Sequence, residues 1–172
     1  MVSTIIDKFK HMKTKTIIVL LLSVIALSSC KQNNWLDWKT QNEMWLLENA
    51  KQEGVITTPT GLQYKCIAKG PFADLPNATR PDASKYVTVE YSGTLINGYQ
   101  FDASTGVSMY VSSLVEGFAE GLKKMSEFDT YEFYIPYNLG YGIAGSGTEG
   151  TTSHIPPYST LIFEVELLGI EK

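Results

Sequence analysis

The sequence predicts an α+β domain in which an antiparallel sheet folds over one short helix. Three observations carry this expectation. In Tyr86-Val-Thr-Val-Glu-Tyr91-Ser, residues Val87, Val89 and Tyr91 point one way while Thr88, Glu90 and Ser92 point the other, the period of a half-buried strand. Tyr131, Phe133 and Ile135 alternate with Glu132 and Tyr134, and Leu161, Phe163, Val165 and Leu167 share a face opposite Glu164 and Glu166. Between them Val115, Phe118, Leu122 and Met125 recur at i, i+3, i+7 and i+10, the stripe of an amphipathic helix. Several half-buried strands and a single helix bury their apolar faces most simply as two layers.

Taken from the N-terminus, residues 1–29 read as a targeting segment. Lys13 and Lys15 precede an apolar stretch from Ile17 to Leu27, too short to cross a hydrocarbon core of about 30 Å as a helix. Leu27-Ser-Ser-Cys30 resembles a bacterial lipoprotein box, which implies cleavage before Cys30 and a diacylglyceryl group on its sulfur. That places the chain in the bacterial cell envelope, lipid-anchored and facing the periplasm or the cell surface. A plain secretory signal is the alternative. Met12 begins a conventional signal by itself, so the start lies at Met1 or Met12.

Without residues 1–29 the chain goes from 14 basic and 18 acidic residues to 10 and 17, and its net charge from −4 to −7. Arg80 is the single arginine, and no positive stripe offers a footprint for nucleic acid. With Cys30 lipidated, Cys66 has no thiol to pair with, which excludes a disulfide framework. In the strand around Tyr64 and Cys66 the thiol reads as a small buried hydrophobe.

Residues 30–57 read as an appendage: a polar spacer, then a helix from Trp35 to Glu53 with Asn34 as N-cap and Gly54 as its stop. Trp35, Trp38 and Trp45 lie near one face, with Asn42 interrupting the stripe. Three uses of this face are open: packing on its own domain, pairing with a second copy of the chain, or contact with a partner or the bilayer interface. Thr57-Thr-Pro59-Thr-Gly61 reads as a linker or turn, leaving residues 58–172 as the domain proper.

Parity places Tyr91 and Phe163 on the core faces of their strands and Phe118 on the buried face of the helix. They either fill the core or line a cavity between sheet and helix. His11 falls in the leader, so His154 is the one histidine of the mature chain, and neither a Ser-His-Asp set nor a histidine-rich metal site has anything to build on. No metal or cofactor is expected.

The segments Val-Glu-Tyr91-Ser-Gly93, Asn97-Gly98-Tyr-Gln-Phe101-Asp102, Val115-Glu-Gly117-Phe118, Ile135-Pro136 with Tyr141-Gly142, Ile155-Pro156-Pro157 and Leu161 to Leu167 occur in this order. Together they resemble the FKBP-type peptidyl-prolyl cis-trans isomerases, over about Thr60 to Lys172. The specificity lies in the combination, since Phe-Asp alone would mean nothing. The resemblance implies a twisted antiparallel sheet of about five strands wrapped around one short helix, preceded here by the N-terminal helix. It implies activity on proline-containing segments of unfolded or exported polypeptides, and binding of the macrolides that inhibit the family.

Carried over by position, the resemblance makes Tyr91, Phe101, Asp102 and Tyr141 the catalytic set. It makes Met109, Leu114, Val115, Phe118, His154, Ile155 and Phe163 the substrate-binding set. Tyr91 and Asp102 match the polar pair beside the twisted amide, Ile155 the backbone donor to a bound ligand, and Tyr141 the hydroxyl that steadies a substrate carbonyl. Asp102 has a compatible structural role, fixing the Phe101 turn. Rotation about an X-Pro bond faces a barrier of about 18–20 kcal/mol and takes roughly tens to hundreds of seconds uncatalysed. A dry aromatic cavity that favours the twisted amide needs no nucleophile.

This chain departs from the pattern at several places. Phe118 stands where many members have tryptophan, and Met109 replaces a wall phenylalanine. The stretch Ala103–Ser108 is shorter than usual, and Ile143–His154 is longer and rich in glycine, so the two loops flanking the substrate entrance differ. Phe128 falls where glycine usually follows the helix, and a phenylalanine at positive φ is unusual, so that turn is expected to be rebuilt. Alongside an isomerase, two readings stay open: a peptide-binding module with little turnover, and a structural lipoprotein docked through the tryptophan helix.

Overall fold

A computed structural model describes residues 34–171. The leader, the candidate lipidation site Cys30 and the spacer lie outside the described residues, as does the side chain of Trp35. The elements are α1 (Asn34–Asn49), β1 (Ile56–Thr57), β2 (Gln63–Ala68), β3 (Tyr86–Leu95), β4 (Gln100–Tyr110), α2 (Glu116–Leu122), β5 (Thr130–Ile135) and β6 (Leu161–Ile170). The strands form one sheet in the order β1-β2-β5-β6-β3-β4, with every neighbouring pair antiparallel. It consists of five long strands and the two-residue β1 at one edge.

The alternation in sequence becomes the two faces of this sheet. Val87, Val89, Phe133, Ile135, Leu161, Val165 and Leu167 are buried on the inner face, over which α2 lies. The helix is shorter than its apolar stripe: Val115 is its N-cap, and Met125 lies beyond its end while remaining buried. Two glycines in so short a helix weaken it by about 1 kcal/mol each, but they let it settle directly on the sheet. A Cβ at Gly121 would stand 2.6 Å from the Phe133 ring, and one at Gly117 would collide with Ile135.

On the outer face, α1 docks by its own side chains. The Trp45 and Tyr134 rings lie 5.7 Å apart, and this cover leaves Tyr134 only 6% exposed although it sits on the polar side of β5. Asn42, which interrupts the tryptophan stripe in sequence, is a buried anchor. Its Nδ2 donates to Trp38 O at 2.8 Å and its Oδ1 accepts the Thr160 N–H at 2.6 Å. Two turns further, Asn49 Nδ2 donates to Gln63 Oε1 at 2.9 Å, and Gln63 Nε2 donates to Leu46 O at 3.0 Å. The helix ends at Asn49, earlier than expected, and a turn carries the chain to Gly54 at φ +81°. Trp35–Lys172 forms one compact unit, and β1 joins the sheet just ahead of the division drawn at Thr58.

Phe128 overturns one expectation. The turn after α2 is not rebuilt; Phe128 takes φ +69° itself. The cost of a left-handed residue, about 1–2 kcal/mol, is offset by a knot around buried Asp129. Its Oδ2 accepts the Ser126 N–H and its Oδ1 the Gly70 N–H, both at 2.8 Å, while the Phe128 N–H reaches Leu167 O at 2.6 Å. The Phe128 ring stays exposed against Phe72, 5.9 Å away. Cys66 is also less enclosed than expected, being half-buried opposite Tyr131. Burial, with lesser contributions from Cys66 and Asp129, pushes the Tyr131 hydroxyl up to about 12.

Candidate active site

The site lies between α2, which packs on β5 and reaches β6 through Phe118, and the inner-face residues of β3, β4 and β6. Its floor is a set of edge-to-face aromatic contacts. Phe163 meets Phe101 at 5.4 Å and Phe118 at 4.9 Å, both near perpendicular, and Tyr91 closes against Phe118 at 6.0 Å and Phe163 at 5.9 Å. Such geometry sets the positive ring edge against the negative face and holds each ring in one orientation. Gly93 makes the arrangement sterically feasible: a Cβ there would lie 2.7 Å from both the Phe101 and the Phe163 ring.

Above this floor opens a cavity of about 210 Å³ lined by Tyr91, Asp102, Met109, Ser113, Leu114, Val115, Phe118, Tyr141 and Phe163. That is small beside ligand pockets of about 300–1,000 Å³. Its polar groups gather at the mouth. The Tyr91 hydroxyl donates to Asp102 Oδ2 at 2.7 Å. Burial, then the hydrogen bond to Asp102 and its charge, raises Tyr91 well above the ordinary tyrosine value; burial and the Asp102 charge raise Tyr141 in the same direction. Both hydroxyls therefore keep their protons at neutral pH.

A break in pairing brings Phe101 and Asp102 to the same site. Gly93 pairs with Asp102 and Thr94 with Gln100, so β4 carries an extra residue here. A bulge re-aims successive side chains that regular pleating would send to opposite faces. Phe101 is buried at 7% exposure behind Phe163, supporting the cavity wall from outside its lining, while Asp102 reaches the mouth.

Of the residues singled out in the sequence, Tyr91, Asp102, Tyr141, Met109, Leu114, Val115, Phe118 and Phe163 converge on this cavity. His154 and Ile155 do not. His154 lines a separate cavity of about 350 Å³ with Asn97, Tyr99 and Pro156. Ile155 is buried in the core at 4% exposure, and its N–H already donates to Ser146 O at 2.8 Å, so it is not a free donor for a ligand. The insertion before it causes this: Ser146 and Ile155 form a β-bridge that ties the glycine-rich stretch back on itself. At the cavity itself the amide of Val115, at the head of α2, has no acceptor among the described residues. Ser113, in a single 3₁₀ turn, also lines the cavity, and no sequence signal marks it.

The rim differs from expectation as well. Ala103–Ser108 is part of the strand β4 rather than a loop, so one side of the entrance is sheet. The other side is the glycine-rich loop, where Gly145 at φ +69° passes so close to Ile155 O that no Cβ fits. The Tyr99 hydroxyl donates to Thr152 O at 3.1 Å, fastening the loop to the β3–β4 turn.

An antiparallel sheet over a short helix, with an aromatic cavity between them, defines the class of domain. The family model for FKBP-type peptidyl-prolyl cis-trans isomerase matches residues 77–168. The model for the domain amino terminal to FKBP-type peptidyl-prolyl isomerase matches residues 22–66. The chain belongs to the FKBP-type peptidyl-prolyl cis-trans isomerase family.

Among its relatives, the FKBP-type 22 kDa peptidyl-prolyl cis-trans isomerase of Escherichia coli is 40% identical over 73% of this chain and 58% of its own length. The probable isomerase FkpA of Neisseria meningitidis is 38% identical over 77% of this chain and 46% of its own. The outer membrane protein MIP of Legionella longbeachae is 36% identical over 78% and 54%. The chain thus spans about half the length of these curated relatives. The crystal structure of FkpA from Escherichia coli superposes with a TM-score of 0.71 at 31% identity, covering 92% of this chain and 71% of that one.

Proposed function

We propose that this chain is a peptidyl-prolyl cis-trans isomerase (a rotamase) acting on proline-containing segments of unfolded, exported polypeptides. The observation that carries the reading is the small aromatic cavity with the Tyr91–Asp102 pair at its mouth. A proline ring enters over Phe118 and Phe163, and Phe101 behind them keeps the wall stiff. The twisted amide has lost resonance, so its oxygen carries less negative charge than in either planar isomer and water solvates it less strongly. The Val115 amide, the Tyr91 and Tyr141 hydroxyls and the Asp102 carboxylate surround it with fixed dipoles in place of water, which lowers the barrier without proton transfer. The test is a protease-coupled peptide assay on the full chain, with an immunosuppressant macrolide of the kind that blocks this family as inhibitor. Macrolide-sensitive turnover is expected, and absence of turnover defeats the reading. Met109 in the wall and the bridged glycine-rich rim favour one second reading, a peptide-binding module with little turnover, which the same assay separates by binding without catalysis.

The anchoring, location and assembly follow as part of the proposal. Cys30 carries the lipid, residues 30–57 link anchor to domain, and the protein works at the bacterial cell envelope. Loss of membrane association in Cys30→Ser is the expected result. The outward side of α1 exposes Leu36, Met44 and Leu47 at 63%, 52% and 60%, an apolar stripe opposite the docked face. A second copy of the chain is its proposed occupant, to be checked by sedimentation of Leu47→Glu against the native protein.

A further inference from the structure

The side of α1 that faces the domain does more than cover the sheet. Three of its side chains converge on the short segment Pro156–Thr160, which closes the glycine-rich rim. Trp38 Nε1 donates to Ser159 Oγ at 2.9 Å, and that hydroxyl donates in turn to Pro156 O at 2.7 Å. Asn42 Oδ1 holds the Thr160 N–H at 2.6 Å, and Lys39 Nζ sits 5.7 Å over the Tyr158 ring. Between these fixed points Tyr158 takes φ +63°, a conformation that an aromatic residue keeps only when its surroundings enforce it.

The strained residue leads straight to the cavity. The Tyr158 N–H donates to Gly142 O at 3.1 Å, and the Gly142 N–H donates to Tyr137 O at 2.8 Å, while the Tyr137 and Tyr158 rings meet edge-on at 5.3 Å. Gly142 directly follows Tyr141, whose side chain lines the cavity. Among these links, only the Tyr158–Gly142 hydrogen bond and the ring pair tie Tyr141 to the segment that α1 holds.

We infer that Asn42 and Trp38 are positioning residues for the active site, acting through Ser159, Thr160 and Tyr158 to hold Tyr141 at the mouth of the cavity. The appendage is then part of the catalytic apparatus of a domain whose pocket residues all lie downstream of it. This inference rests on the isomerase reading for its catalytic consequence but not for its structural one, and the two are measured separately.

The experiment compares the full chain with Asn42→Ala, with the milder Trp38→Phe, which keeps an aromatic ring and removes only the indole donor, and with Thr40→Ala on the outward side of α1. Amide hydrogen exchange of Ser146, Ile155 and Tyr158 is read beside that of Leu167 in the central sheet. Exchange at the first three should quicken about tenfold in Asn42→Ala and less in Trp38→Phe, with Leu167 and the Thr40→Ala protein unchanged; equal exchange in all proteins overturns the inference. A double-mutant cycle with Tyr141→Phe then reads kcat/KM. Asn42→Ala should lower it about fivefold in the native background and hardly at all once the Tyr141 hydroxyl is gone. Independent, multiplying losses overturn the positioning role, since a general loss of stability would act alike in both backgrounds. A native chain with no turnover defeats the isomerase reading and leaves the exchange measurement to decide the coupling. Should Asn42→Ala not fold, Trp38→Phe carries both measurements with the same outcomes.

Discussion

The Tyr91 hydroxyl on β3 donates to Asp102 Oδ2 on β4 at 2.7 Å, across the mouth of the aromatic cavity. In register Asp102 faces Gly93 rather than Tyr91, so the bond runs diagonally over the position that has no side chain. The same glycine that admits the Phe101 and Phe163 rings thus clears the path for the pair.

If the pair acts as a unit, Tyr91→Phe and Asp102→Asn each remove about 1 kcal/mol of hydrogen bonding. That corresponds to a loss of roughly fivefold in kcat/KM. The double variant should lose little more than the worse single one. Losses that multiply would show that the two side chains act separately.

Shape should outweigh this polar contribution. Phe163 touches Tyr91, Phe101 and Phe118 at once, and truncating a buried phenylalanine to alanine costs about 3–5 kcal/mol in packing. Phe163→Leu, which keeps most of the volume, is the informative variant: folded by circular dichroism, and slower than Asp102→Asn in the peptide assay. A faster Phe163→Leu would put electrostatics ahead of shape.

The pH dependence follows from the tyrosines. Tyr91, Tyr134 and Tyr141 are all raised, by burial first, with Glu132 accepting the Tyr134 hydroxyl at 2.6 Å. Activity should be flat from about pH 6 to 9, below the ordinary tyrosine value near 10. Above about pH 10 the unfolded chain releases these protons while the folded chain retains them, so stability falls as the pH rises, by up to about 1.4 kcal/mol per pH unit for the well-buried Tyr134 and by less for the more exposed Tyr91 and Tyr141, which solvent screens. Tm measured from pH 8 to 11 should hold level and then drop, with a shallower drop in Tyr134→Phe. A bell-shaped rate profile near neutrality would instead indicate general acid–base work.

Phe128 offers a direct test of backbone strain. Phe128→Val places a β-branched residue at φ +69° and should lose at least about 1 kcal/mol in urea unfolding. Phe128→Gly relieves the strain but gains unfolded-state freedom worth about 0.4–1 kcal/mol and loses the Phe72 contact. It should match the native protein or exceed it slightly. A harmless Phe128→Val would show that the turn is not left-handed in solution.

A chain that starts at Thr58 should still unfold cooperatively, because the inner core begins at Leu62. It loses the Asn42–Thr160 and Asn49–Gln63 hydrogen bonds, at about 1 kcal/mol each, and uncovers Tyr134. Its urea midpoint should fall accordingly. An unchanged midpoint would mean that α1 does not dock.

The strands, the short helix and the aromatic side of the cavity were legible in the sequence because burial on one face leaves a period. Val87, Val89 and Tyr91, or Phe163, Val165 and Leu167, declare their common face without any knowledge of what they pack against. The ordered segments from Tyr91 to Phe163 declare the family in the same local way. What remained hidden depends on contacts between distant parts of the chain. Parity sends Phe101 and Asp102 to opposite faces, and only the extra residue that β4 carries against β3 brings both to one site. Asn42 looked like a flaw in an apolar stripe because its partner, the Thr160 N–H, lies 118 residues away. The Ile155 amide looked available because nothing nearby in sequence announces the Ser146 carbonyl that takes it. By itself, then, the sequence determined which apolar faces of the strands and of α2 are buried, and the family to which the chain belongs, since hydrophobic period and motif order are properties of neighbours along the chain. Tertiary structure alone decided which donors are free, which side chains share the mouth of the cavity, and that α1 grips the rim, because hydrogen bonds are directional and their partners are assigned only when strands bulge, loops close and a helix docks.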